Sequence, residues 1–146
     1  MDRRELVKGL VALALAVGVS ATALIVADIA KTYNDLPHVV LRRTQTLSGK
    51  LEKNGKIKRA FRNGYVYKIN GIELYLAKDH FNNWGNSAGY QTKDGRFVRI
   101  FPDTRIKIWE GFEVIDQNAN RELYFKEQKR AYELCKGLRN YLKTLL

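Results

Sequence analysis

Three side chains in this 146-residue sequence could serve as a nucleophile or base near neutral pH: His38, His80 and Cys135. None sits in a pattern that makes chemistry. His38 follows Pro37 at the end of a linker-like stretch, and His80 lies in a polar segment with Asp79 and Ser87. Closeness along one loop does not build a nucleophile, base and orienter, which must converge in space. Cys135 sits among helix residues with Leu134 and Leu138, so it reads as a small, half-buried thiol. As the only cysteine it cannot close an internal disulfide, which excludes the disulfide-scaffold class and leaves the redox compartment open. No Cys/His spacing matches a zinc site, and Gly85 and Gly89 lack the Lys-Ser/Thr and following helix of a phosphate loop. The remaining carboxylates are scattered. The sequence therefore predicts a non-enzymatic protein with no cofactor or metal.

Binding is the chemistry that the composition favours. The formal charge is +11, and the residues after Ala30 carry the whole excess. Such a balance draws anionic partners: lipid headgroups, an acidic polymer, nucleic acid or an acidic protein. The excess is densest in 42–62, where Arg42, Arg43, Lys50, Lys53, Lys56, Lys58, Arg59 and Arg62 stand against Glu52 alone. These eight are the candidate anionic-surface residues. The alternative is a solvated, charged edge that resists aggregation. A second candidate is the polar stretch 79–88, DHFNNWGNSA, with His80, Phe81, Asn83 and Trp84 as the binding-loop residues. Amides beside aromatics suit a sugar or peptide; alternatively, Phe81 and Trp84 fold back over an open end of the core.

What positions these groups begins with residues 10–27, LVALALAVGVSATALIVA, which contain no charge, proline or amide. As a helix the run spans about 27 Å, close to the hydrocarbon thickness of a bilayer, with Lys8 and Lys31 placed to snorkel. A single retained membrane helix is the expectation. A cleaved secretory signal ending at Ala21-Thr22-Ala23 and a buried core helix are the alternatives. Ala14, Gly18 and Thr22 stand four apart and give a small-residue face for membrane-helix packing. Basic residues are nearly balanced across the run. The short basic tail before it places the later domain outside the cytoplasm.

The rest of the chain predicts an α+β fold, a small antiparallel meander or barrel of five to seven strands closed by a C-terminal amphipathic helix. Its divisions are a basic tail (1–8), an anchor (9–30), a linker (31–38), a basic β-rich domain (39–117) and the helix (120–146). Strand character is read at 39–41 and 57–61, and Asn54-Gly55 reads as a two-residue turn. The clearest hairpin is 64–78 about Asn70-Gly71, setting Ile69 opposite Ile72, Tyr67 opposite Leu74 and Tyr65 opposite Leu76 on one core face. Its other face pairs Lys68 with Glu73. Further strands are read at 90–93, 96–101, 105–109 and 112–115.

In the last segment Asn120 stands as the helix cap. Tyr124, Ala131, Leu134, Leu138, Tyr141, Leu142 and Leu145 form an apolar stripe. Docking on the sheet is expected, with pairing to a partner helix and lying on a membrane surface as alternatives. The functional expectation is a single-pass membrane accessory or assembly protein whose basic β-domain and terminal helix bind a partner protein, or a second copy, at the bilayer. The alternative is a tethered or secreted domain binding an anionic polymer or headgroup, with nucleic-acid binding as the minor reading.

Overall fold

In the hairpin expected about Asn70-Gly71, Asn70 and Gly71 carry φ of 50° and 78°, which a type I′ turn requires at both central positions. The computed structural model describes residues 33–79 and 87–146, of which Pro37–Leu146 is one compact unit. Strands β1 (Gly64–Ile69) and β2 (Ile72–Ala77) pair in the expected register, including Tyr65 with Leu76, Tyr67 with Leu74 and Lys68 with Glu73. The meander continues through β3 (Ala88–Gln91), β4 (Phe97–Ile100), β5 (Ile106–Glu110) and β6 (Glu113–Val114), each antiparallel to its neighbour in chain order. The result is an open six-stranded sheet, not a barrel.

One face of the sheet is apolar, as the alternation requires. Tyr65, Leu74, Leu76, Tyr90, Val98, Ile100 and Ile108 are all buried there. Two helices cover it: α1 (Pro37–Lys53) and α2 (Arg121–Thr144). They lie side by side and run in the same direction. Thr44 of α1 lies 3.4 Å from the carbonyl of Cys135, and Lys56, just past α1, donates to the carbonyl of Leu145 at 2.7 Å.

Helix α1 corrects the expected strand at 39–41. Val39, Val40 and Leu41 are the first buried turn of a helix whose interior face continues through Thr44, Gln45, Ser48 and Leu51. Pro37 suits the first helical turn, and Lys50 and Lys53 complement the dipole at its end. The Asn54-Gly55 pair is not a hairpin turn. Gly55, at φ 75°, ends α1: its N–H donates to Glu52 C=O and the Lys56 N–H to Leu51 C=O, the two bonds of a Schellman cap. The segment 57–61, also expected as a strand, is irregular and makes one isolated bridge, Phe61 with Gly64. It is held by Arg59, which donates to both carboxylate oxygens of Glu52 and to the carbonyl of Arg62. The Arg59 bond in turn holds the Glu52 carboxyl below its usual range.

Helix α2 docks as expected on the sheet, burying Tyr124, Ala131, Leu134, Cys135, Leu138 and Leu142. Two details differ. The Asn120 side chain makes no cap bond; its amide donates instead to the Asp116 carbonyl at 3.1 Å. Tyr141, placed in the apolar stripe by spacing, is half exposed. Glu127 is buried on the sheet side, accepting from the Tyr90 hydroxyl at 2.7 Å and pairing with Arg130 at 3.1 Å.

Candidate binding groove

All eight basic candidates in 42–62 are exposed. They form two groups. Arg42, Arg43, Lys50 and Lys53 lie on the outward side of α1, with Arg42, Thr46, Lys50 and Lys53 following at helical spacing. Lys56, Lys58, Arg59 and Arg62 lie on the segment that follows. There Arg59 is held by Glu52, and Lys56 is bonded to the end of α2. The sole acid of α1, Glu52, also accepts from the Tyr65 hydroxyl at 3.2 Å, so the outward side of the helix is purely cationic.

The loop candidates His80, Phe81, Asn83 and Trp84, and the packing candidates Ala14, Gly18 and Thr22, lie outside the described residues, as does the expected anchor 9–30. No helix among the described residues is long and apolar enough to cross a membrane. Cys135 is fully buried, and burial pushes its thiol up to about 12. It is therefore a packing group against the sheet, not an accessible nucleophile.

The face of the sheet away from the helices carries Tyr75 and Phe97, each about 40% exposed. Its cations lean onto its own rings: the Arg99 guanidinium lies 5.1 Å from the Trp109 ring centre, and the Lys107 ammonium 5.9 Å from that of Phe101. A shallow dip of about 220 Å³ opens over Gly89, which has no side chain to fill it.

A larger concavity lies between β5 and the first turns of α2, an open groove of about 730 Å³. Its formation follows from how the sheet ends. Strands β5 and β6 fold about Gly111-Phe112, with Glu110 opposite Glu113 and Trp109 opposite Val114. At the next position the Ile115 N–H donates to Ile108 C=O at 2.9 Å. The return bond is not made directly. The Tyr124 hydroxyl stands in the gap, accepting from the Ile108 N–H at 3.2 Å and donating to Ile115 C=O at 2.7 Å.

A side chain of α2 thus wedges the ladder open, and the chain leaves the sheet at Asp116, whose carboxylate accepts from the Asn118 N–H at 2.9 Å. The first half of β5 is paired with β4 on one side and is left without a strand on the other. The far wall is α2, which is tied to the start of β5 by Gln128 donating to the Thr104 carbonyl. Apolar residues line the groove, and two are exposed: Val114 at 44% and Phe125 at 77%.

Sequence reasoning missed this groove. Tyr124 belongs to the apolar stripe by spacing, and nothing in the spacing shows its hydroxyl replacing a sheet bond. The one available signal was Phe125, a large aromatic beside the stripe on the polar side of the helix.

Neither a protein-family model, nor a curated protein, nor a solved structure matches this chain.

Proposed function

We propose that this protein is a membrane-anchored, non-catalytic binding module whose α+β domain holds a partner protein at the bilayer surface. The observation that carries the reading is the groove between β5 and α2, a concavity in which Val114 and Phe125 stay exposed beside a sheet face that two helices bury. An apolar concavity with a polar rim is where a polypeptide gains most by docking. The anchor comes from the uncharged run 10–27.

The test places a photo-crosslinking residue at Phe125 in the full chain, in the membranes of the source cell. The expected result is an adduct with one polypeptide, absent when the same residue replaces Lys68 on the opposite face of the sheet. The protein should leave the membrane with detergent and not with high salt. Absence of an adduct, or equal adducts from both positions, would overturn the reading.

A second reading has its own observation. The cationic outward side of α1 follows the apolar run closely in sequence and suits anionic headgroups, at about 1 kcal/mol for each basic residue near the leaflet. Replacing Arg42, Arg43, Lys50 and Lys53 by Gln would then weaken binding of the domain 37–146 to phosphatidylserine vesicles, with a steep dependence on salt. Binding that is unchanged by the four substitutions would sink it.

A further inference from the structure

The register of β5 determines which backbone groups face the groove. Phe101 N–H donates to Arg105 C=O at 2.8 Å, and bonded pairs alternate along an antiparallel ladder. Arg105, Lys107 and Trp109 therefore turn their backbone groups toward β4, and Ile106, Ile108 and Glu110 turn theirs away. Glu110 meets Glu113, and Ile108 is taken by Ile115 and Tyr124. Ile106 is next. Gln117, which a longer β6 would set opposite it, belongs instead to the turn leading into α2. Ile106 thus presents one N–H and one C=O along the groove wall, where one extended residue of another chain can take both.

We propose that the groove receives an extended segment of the partner protein in which one bulky apolar residue is flanked on both sides by Asp or Glu. This rests on the reading of the chain as a protein-binding module and adds the chemistry of what is bound. The alternation of the pleat sets the pattern. A residue paired with Ile106 shares its face, toward α2, where Tyr124 and the exposed ring of Phe125 line the groove. Its two neighbours fall on the other face, beside Arg105 and Lys107. The Arg105 side chain is 80% exposed while paired with Asp103, and Lys107 is exposed beside the Phe101 ring. Arg121 adds a third cation on the helix wall, against Asp116 as the one carboxylate of the lining. Carboxylates before and after the apolar residue complement this charge, and lysines there are repelled. The backbone contributes only two hydrogen bonds, so the side chains set the affinity.

The experiment uses the full chain in lipid nanodiscs and three fluorescein-labelled, end-capped heptapeptides that share flanks and differ at the centre: Glu-Leu-Glu, Lys-Leu-Lys and Glu-Ala-Glu. Fluorescence anisotropy should show the first binding tightest, and the others at least roughly fivefold weaker, about 1 kcal/mol each. Phe125→Asp and Lys107→Glu should each weaken Glu-Leu-Glu by a similar factor, whereas Arg42→Gln on α1 should not. Phe125 and Lys107 are exposed, so both variants should keep the parent's thermal transition. On binding, hydrogen exchange should slow at the Ile106 amide. The proposal is overturned if Glu-Leu-Glu does not bind, binds no better than Lys-Leu-Lys, or binds the groove variants equally. It is also overturned if the chain forms a dimer that Phe125→Asp dissolves, which would put a second copy in the groove. A Phe125 crosslink to a partner alongside failed peptide binding would remove this inference and leave the protein-binding module standing.

Discussion

At the scale of single residues, the hydroxyl of Tyr124 has the largest consequence, because it completes a sheet bond that the backbone does not make for itself. Tyr124→Phe keeps the ring and leaves Ile108 N–H and Ile115 C=O without their partner. Buried polar groups orphaned in this way cost about 1–3 kcal/mol, and denaturant melts should show a loss in that range. Tyr75→Phe, on the partly exposed outer face, should change stability by less than about 0.5 kcal/mol. A second residue-scale expectation concerns alkaline pH. Burial pushes the Cys135 thiol from 9.0 to about 12, and burial followed by the nearby Glu52 charge pushes the Tyr65 hydroxyl from 10.0 to about 12. Both are acids whose neutral form the fold prefers. Their contribution is complete below the unfolded values and is lost as pH rises toward 12. Urea midpoints should be flat from pH 7 to 8.5 and fall above about 9. In Cys135→Ala the onset should move up toward the phenol range; an onset that stays at 9 would show that the thiol is not its source.

At the scale of elements, the β1–β2 hairpin was legible residue by residue, and α1 was not. The difference is physical. The hairpin has an Asn-Gly turn and strict alternation, so one register buries every apolar residue on one side. After its first turn the interior of α1 is mainly polar: Thr44, Gln45 and Ser48 come before Leu51. Thr44 bonds back to the Val40 carbonyl at 2.8 Å, Gln45 donates to the Ala77 carbonyl at 3.2 Å, and Ser48 lies 3.0 Å from the Tyr67 hydroxyl. A helical stripe made of such residues gives no apolar period, and the consecutive Val39, Val40 and Leu41 look like strand. Asn-Gly also has two uses, as a hairpin turn and as a helix stop, and local sequence does not separate them. In the hairpin, Leu74→Ala should cost about 2–5 kcal/mol and Lys68→Ala less than about 1 kcal/mol, since Leu74 is fully buried and Lys68 exposed. Equal losses would mean the faces are reversed. In α2, a methyl added at Gly137 would meet Ile69 Cγ2 at 3.6 Å, an ordinary contact. Gly137→Ala should therefore raise stability by about 0.5–1 kcal/mol through helix propensity. A loss would show that the helix cannot accept the methyl against β1.

At the scale of the whole molecule, the open sheet makes the domain depend on its helices. A barrel would bury its own interior, whereas here, among the described residues, the face that carries Tyr65, Leu74, Leu76, Tyr90, Val98 and Ile108 is closed by α1 and α2. The two helices are unequal covers. Helix α2 buries an apolar stripe that recurs from Tyr124 to Leu142, while α1 adds Val40, Leu41 and Leu51 but sets between them hydroxyls and an amide that need partners on the sheet and on α2. Each fully buried leucine of α2 contributes roughly 1.5–3 kcal/mol, so losing Leu134, Leu138 and Leu142 together approaches the whole stability of an ordinary domain. Removing α2 also deprives Ile108 and Tyr90 of Tyr124 and Glu127, and α1 of the helix beside it. Truncation after residue 119 should therefore abolish cooperative unfolding of the sheet, not merely lower its midpoint. Thermal melts followed by circular dichroism, with the binding of a hydrophobic dye as a second readout, would test this. The expected outcome is a broad transition with dye bound at low temperature. A truncated chain that keeps a sharp transition near that of the parent would show that the sheet closes without α2, and the groove would then have a movable wall.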